Sequence, residues 1–181
     1  MQPLEIENVV RSPVPGPARI GALERLVIRC ALAEAARVGA VPRVRGLSPA
    51  SFAVMCACCL PGEAVENGAA PAPFDEFEEL LELLLDHLAP FDQGGIWLAA
   101  VIASAAQRGN HLWQDLGLPS RRELSDVLRL RFARLAARNG GDMKWKKFFY
   151  RELCQRAGVP ICKSPSCGDC VDHGDCFGAE H

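Results

Sequence analysis

Apolar residues recur at helical spacing in the first half of this chain. In the stretch "ARIGALERLVIRCALAEAAR", which begins at Ala18, the apolar side chains fall near one broad face. The run "ASFAVMCACCL" follows a Ser-Pro pair, which is typical of a helix start. The run "FEELLELLLDHL" is amphipathic, and its acidic residues predict a solvated face. We find no alternation with a period of two, so the pattern predicts helices rather than strands.

The second half continues in the same way. The segment "GGIWLAAVIASAAQRG" is apolar nearly all round, which predicts a central buried helix. A further helix is expected from Ser120 to Asn139, and a last one from an N-cap at Asp142 to Gly158. These patterns predict an all-α fold, a bundle of about five to seven helices with a C-terminal cysteine-rich metal-binding loop. We expect no regular structure within that loop.

Three regions are expected along the chain. Residues 1–17 hold four prolines and little periodicity, which predicts a flexible N-terminal arm. Residues 18–158 form the helical domain, with a flexible internal loop over 61–73. Neither flank of that loop is long enough for a separate core. Residues 159–181 form the predicted cluster-binding loop and tail.

Composition narrows the classes of protein. Apolar residues make up 49% of the 181 residues, and the net charge is −2. The sequence has no excess of basic residues, so its composition does not favour a protein that binds nucleic acid. The apolar runs are too short to span a bilayer and no signal peptide is visible, so we expect a cytoplasmic protein without membrane attachment. Nine cysteines, an odd number, do not predict a disulfide framework there.

Four cysteines are clustered with the spacing Cys-x4-Cys-x2-Cys-x5-Cys, namely Cys162, Cys167, Cys170 and Cys176. A reactive or accidental thiol cluster is one interpretation. Structural zinc is another, although zinc sites usually pair two close cysteines with two more across a longer spacer. An iron–sulfur site is the third, because the first three cysteines follow the Cys-x4-Cys-x2-Cys run of plant-type ferredoxins and soft thiolates suit such clusters.

His173 lies inside this loop. It could ligate a metal or hydrogen-bond a cluster sulfur, but it could equally be an ordinary polar loop residue. His111 is not assigned as a ligand. The five remaining cysteines are interpreted less specifically: Cys56, Cys58 and Cys59 lie on an apolar helix and predict core packing rather than a second metal site, and the roles of Cys30 and Cys154 stay open.

The helix before the loop has an unusual distribution of charge. Lysines in its first turn oppose the helix dipole. By their spacing, Lys144, Lys147 and Arg151 share one face. An ordinary solvated face is one explanation, and a surface that contacts an oxyanion or an acidic partner is the other. We find no nucleophile–base pair and no phosphate-binding glycine loop, so an enzyme is not expected.

The segments "HLWQDLGL", "DMKWKKFFYRELC" and the four-cysteine motif together resemble the NifQ family of nitrogen-fixation proteins. The resemblance extends from His111 to Gly178, and the first hundred residues fit only loosely. It implies an iron–sulfur cluster incorporating molybdenum, held by the four motif cysteines. It also implies a carrier that supplies molybdenum for the iron-molybdenum cofactor of nitrogenase, with molybdate, the cofactor-assembly scaffold and the nitrogenase iron protein as partners. A small electron-transfer protein and a zinc-stabilised interaction module remain as alternatives.

Overall fold

The computed structural model describes residues 20–69, 75–159, 170 and 172–180, and in these ranges it contains nine helices and no strand. The helices are, in chain order, α1 (Ala22–Arg37), α2 (Pro49–Cys59), α3 (Asp75–Asp86), α4 (Gln93–Ala106), α5 (Leu112–Asp115), α6 (Arg121–Arg131), α7 (Ala133–Arg138), α8 (Trp145–Ala157) and α9 (His173–Phe177). The prediction of an all-α fold is confirmed. The arm predicted over 1–17 lies outside the described residues.

Helix α4 is the centre of the bundle. It packs against α1, α2, α3 and α5. Trp97, Leu98 and Ile102 are fully buried in it, as expected for a helix that is apolar nearly all round. Its start is fixed by Asp92, whose carboxylate accepts a hydrogen bond from the Gly95 amide at 2.8 Å. A central helix of this kind gives the surrounding helices one common core.

The bundle also buries charged groups beside α4. The Arg131 guanidinium contacts the Glu24 carboxylate at 3.0 Å and the Asp92 carboxylate at 2.5 Å. Both Arg131 and Glu24 are almost completely buried. A buried charge is tolerated when partners of opposite charge surround it, so this cluster ties the starts of α1 and α4 to the end of α6.

The helix expected from Ser120 to Asn139 is interrupted. Ser120 is the N-cap, since its hydroxyl accepts from the Arg122 amide at 3.1 Å, but α6 ends at Arg131. Phe132 has φ −125° and ψ 42°, outside helical values, and its side chain is fully buried. The bend turns this ring into the core. Together with the short helices α5 and α9, this break explains why the described residues hold more than five to seven helices.

The internal loop predicted over 61–73 is described as far as residue 69. There the Asn67 side chain accepts from the Val44 amide at 2.9 Å and donates to the Val44 carbonyl at 2.7 Å. These bonds hold this part of the loop against residues 43–44. Within the described ranges, no helix combines the length and the hydropathy that crossing a bilayer requires.

Candidate metal-binding site

Helix α8 leads into the cysteine loop. It ends at Gly158, which adopts the left-handed conformation with φ 67°, and the Val159 amide then donates to the Cys154 carbonyl at 3.0 Å. The next residues that the structure describes are Cys170 and 172–180. The predicted ligands Cys162 and Cys167 therefore lie outside the described residues, and their assignment stays a prediction.

Residues 172–180 dock against the opposite end of α8. The Lys144 amide donates to the Cys176 carbonyl at 2.8 Å, and the Lys144 ammonium donates to the Gly174 carbonyl at 3.2 Å. The His173 amide donates to the Cys170 carbonyl at 3.1 Å, which places Cys170 directly before α9. A helix of this length extends roughly 20 Å. Residue 159 and residues 172–176 therefore lie near opposite ends of α8.

The start of α8 differs from its prediction. Lys144, not Asp142, is the N-cap residue, and the helix begins at Trp145. Asp142 adopts φ 55°, and the Asn139 side chain bridges the turn by bonding both the amide and the carbonyl of Met143, at 2.9 and 2.8 Å. This tight turn takes the place of a side-chain cap and exposes the backbone that receives α9.

The expectation that the cysteine loop contains no regular structure was wrong. Helix α9 forms its second half, between Asp172 and Gly178. The Phe177 ring packs partly buried on the core and lies close to Gly141. On its other side it stacks on the His173 ring with centroids 4.6 Å apart. This stack gives a five-residue helix a side-chain contact that the sequence pattern did not indicate.

Glu180 completes the contact between the tail and the bundle. Its side chain is only 6% exposed and lies 3.8 Å from His111 Nδ1 and 3.9 Å from Arg121 Nε. Arg121 Nη2 also contacts Asp142, bonding its carboxylate at 2.9 Å and its carbonyl at 3.1 Å. The tail, α5, α6 and the turn before α8 therefore meet at one junction.

A largely buried ion pair between Lys146 and Asp115 links α5 to α8 next to this junction. The Lys146 ammonium contacts the Asp115 carboxylate at 2.5 Å and the Arg108 carbonyl at 2.6 Å. Burial lowers the pKa of Lys146, and the bond and charge of Asp115 act in the opposite direction. Asp115 and Lys146 belong to the two helical segments on which the resemblance was noted, so the structure joins them directly.

The three predicted basic residues have different surroundings. Lys144 contacts α9, as described above. Lys147 and Arg151 are exposed, and neither has an ion pair or hydrogen bond to any of the residues that the structure describes. The structure therefore brings one of the three to the cysteine segment and leaves two at the surface of α8.

Two of the described cysteines lie in the core, Cys58 is only partly buried against it, and two others lie on the docked tail. Cys56 and Cys59 are buried in the core, as predicted, and burial raises the pKa of Cys59 to about 11. A thiol held in its protonated form is a poor metal ligand. Cys170 and Cys176 are half-buried on a segment that the Lys144 amide and ammonium attach to the start of α8. Cysteine sulfur is the donor that iron–sulfur clusters take, so these two residues fit such a site.

Two donors do not complete a site. Over the described parts of the chain, no group of three or more His, Cys, Asp or Glu side chains could hold a metal ion. A complete cluster site requires thiolates from the segment that contains Cys162 and Cys167. His173 is exposed and stacked on Phe177, and its expected role next to a cluster stays a prediction.

Sequence reasoning missed several residues of this junction. Two of its contacts join segments far apart in sequence: Glu180 contacts Arg121, and Asp115 contacts Lys146. No spacing rule indicates such contacts. The nearest indication was that "HLWQDLGL" and "DMKWKKFFYRELC", which contain Asp115 and Lys146, both belong to the same family resemblance.

Comparison with known proteins gives a consistent result. The sequence profile of the NifQ family matches residues 25–178, which include all four clustered cysteines. Protein NifQ of Azotobacter vinelandii is 40% identical over 181 residues, covering 98% of this chain and 88% of that protein. Protein NifQ of Rhodobacter capsulatus is 36% identical over 166 residues, covering 90% and 92%. Protein NifQ of Klebsiella pneumoniae is 47% identical over 81 residues, covering 44% and 48%. No solved structure matches this chain.

Proposed function

This chain belongs to the NifQ family, and we propose that it is a molybdenum-binding iron–sulfur carrier of the nitrogen-fixation system. It supplies molybdenum for assembly of the iron-molybdenum cofactor of nitrogenase and catalyses no reaction of its own. It acts in the cytoplasm on molybdate, and its partners are the cofactor-assembly scaffold and the nitrogenase iron protein. The observation that carries the proposal is the Cys-x4-Cys-x2-Cys-x5-Cys motif inside the region that matches the family.

The docking of Cys170 and Cys176 supports this role. A bound sulfide cluster would hold molybdenum in a sulfur environment from which it can be passed on. Cys170 and Cys176 lie on a segment that the Lys144 amide and ammonium attach to the start of α8. Because that segment lies on the surface of the bundle rather than in its core, a partner can approach it.

The exposed residues Lys147 and Arg151 support a second step of the proposal. They lie four positions apart on α8, on the helix that receives the cysteine segment. A cationic surface raises the local concentration of anions and steers acidic partners. We assign these residues to the approach of molybdate or of the acidic surface of a partner.

The first test is the metal content of the protein after strictly anaerobic purification from cells supplied with molybdate. Iron and molybdenum together, with little zinc, are expected. Iron alone with a reversible redox couple would favour an electron-transfer protein, and zinc alone would favour a structural staple. Either of those results would overturn the carrier proposal.

Variants sharpen this test. Cys167→Ala and Cys170→Ala are expected to lose both metals, whereas Cys58→Ala, a half-buried cysteine on α2, should retain them. Full retention of iron and molybdenum in Cys170→Ala would refute the ligand assignment.

Lys147→Gln and Arg151→Gln should slow molybdenum uptake or transfer at low salt more than at high salt, because screening removes the advantage of surface charge. Arg134→Gln, at an exposed arginine on α7, is the matched control.

A further inference from the structure

Glu180 is buried at the surface where the tail meets the bundle. Its side chain is 6% exposed, close to His111 and Arg121. Removing a carboxylate from water is costly unless groups of opposite charge replace the water. A carboxylate in this position therefore indicates a specific attachment of the tail rather than a loose end.

The two partners of Glu180 belong to structure that is fixed independently of the tail. His111 is the N-cap of α5, and its amide donates to the Gln114 side chain at 3.1 Å. Arg121 is the first residue of α6, and its guanidinium bonds the Asp142 and Met143 carbonyls at 3.1 and 3.0 Å. The same guanidinium thus contacts both Glu180 and the turn that precedes Lys144.

Helix α9 needs attachment of this kind. It has five residues, no side-chain cap and no fully buried residue. A helix this short is not stable on its own in water. Its contacts with the bundle include the two bonds of Lys144 and the packing of Cys176 and Phe177. Glu180 lies three residues beyond α9, and the contacts of its carboxylate with the His111 ring and the Arg121 guanidinium attach the segment after the helix has ended.

We infer that Glu180, His111 and Arg121 form a clasp that docks residues 172–180 onto the bundle and so positions Cys170 and Cys176 for metal binding. The three are positioning residues and not ligands. The clasp concerns the metal-binding site of the proposed function, and the identity of the bound metal rests on that function. Its prediction is that weakening the clasp loosens the tail and speeds the loss of metal without unfolding the bundle.

The test compares Glu180→Gln and His111→Asn with the parent protein. Glutamine keeps the shape of glutamate and removes its charge, and asparagine keeps an N-cap residue at the start of α5. Asp126→Asn is the control, because Asp126 is a half-exposed acid that pairs with Arg122 and Arg129 on the same helix α6. Amide hydrogen exchange of the metal-free protein reports on the docking of residues 172–180. Transfer of iron from the loaded protein to a chelator reports on metal retention.

Both clasp variants are expected to speed exchange in residues 172–180 and to speed iron loss by about two- to fivefold, the range for losing one contact between a carboxylate and a partly exposed partner. The control should change neither, and exchange in α4 should stay as in the parent. Unchanged exchange in the tail would refute the clasp, and faster exchange without faster iron loss would refute its positioning role. A parent protein that holds zinc instead of iron would refute the proposed function, while zinc release to a chelator would still test the clasp.

Discussion

Neutralising Asp115 should destabilise the whole bundle, because this side chain joins α5 to the start of α8. Asp115 is 2% exposed, and its carboxylate accepts from the Lys146 ammonium and from the amide and side chain of Asn110, the latter two at 3.1 Å. In Asp115→Asn, the amide oxygen can still accept from the Lys146 ammonium, but the negative charge opposite that ammonium is lost, and the new amide nitrogen faces the Asn110 side chain, which is also a donor.

The expected cost follows from these contacts. A hydrogen bond to a charged group contributes about 1.5–3 kcal/mol, and a buried charge that loses its partner costs about 3–5 kcal/mol. Since Lys146 retains hydrogen-bond acceptors and is not completely buried, we expect about 3 kcal/mol for Asp115→Asn and about 2 kcal/mol for Lys146→Met. The double variant should cost about 3 kcal/mol rather than the sum, since the second change removes a charge that the first left unpaired.

Urea unfolding of the metal-free protein, followed by far-ultraviolet circular dichroism, measures these differences. In thermal unfolding, Asp115→Asn should lower the midpoint by about 6–12 °C, because a chain of this size shifts by roughly 2–4 °C per kcal/mol. Asp126→Asn is the control and should cost less than about 0.5 kcal/mol, since its ion pairs are largely exposed. A cost below about 1 kcal/mol for Asp115→Asn, or strict additivity in the double variant, would refute the argument.

Three further predictions test other parts of the structure. Burial, and then the hydrogen bond to Glu76, raises the pKa of Tyr150 to about 12. Because the pKa of Tyr150 is higher in the folded than in the unfolded protein, the contribution of this tyrosine to stability is present below about pH 10 and lost toward pH 12. Tyr150 is the sole tyrosine, and its ultraviolet titration should have a lower midpoint in Glu76→Gln. Alkylation of the native metal-free protein should modify Cys59 at least about a hundredfold more slowly than the unfolded chain, and equal rates would contradict its burial. Gly95→Ala should cost about 2 kcal/mol or more in urea unfolding, because its methyl group would collide with the buried guanidinium on α6, whereas Gly109→Ala meets open space and should be nearly neutral.

The sequence predicted local features of this fold well and long-range contacts poorly. The capping role of Ser48 is confirmed by its bond from the Ser51 amide at 3.2 Å, and the apolar pattern placed α4 in the core. Both follow from residues within a few positions of one another. The bend at Phe132 was missed, because the apolar spacing of α6 continues into α7 and does not show that one ring must leave the helical path.

For the candidate site, the sequence indicated candidate ligands but not their surroundings. Cysteine spacing indicated the four thiols as candidates, because metal binding requires donors that are close along the chain or in space, and that assignment stays a prediction. It could not indicate that α9 docks on the start of α8, since that contact depends on backbone groups of Lys144 and Cys176. Nor could it indicate Glu180, whose burial is decided by partners that lie about sixty or seventy positions earlier.

The lysines at the start of α8 now have separate explanations. Each cation near a helix N-terminus costs about 0.3–1 kcal/mol unless another contact offsets it. For Lys144 the offset is the Gly174 carbonyl, and for Lys146 it is the Asp115 carboxylate. Lys147 has no such contact among the residues that the structure describes, although it lies in the same first turn. An anionic ligand or an acidic partner would provide that contact. For this reason we assign Lys147, rather than Lys144 or Lys146, to the approach of molybdate.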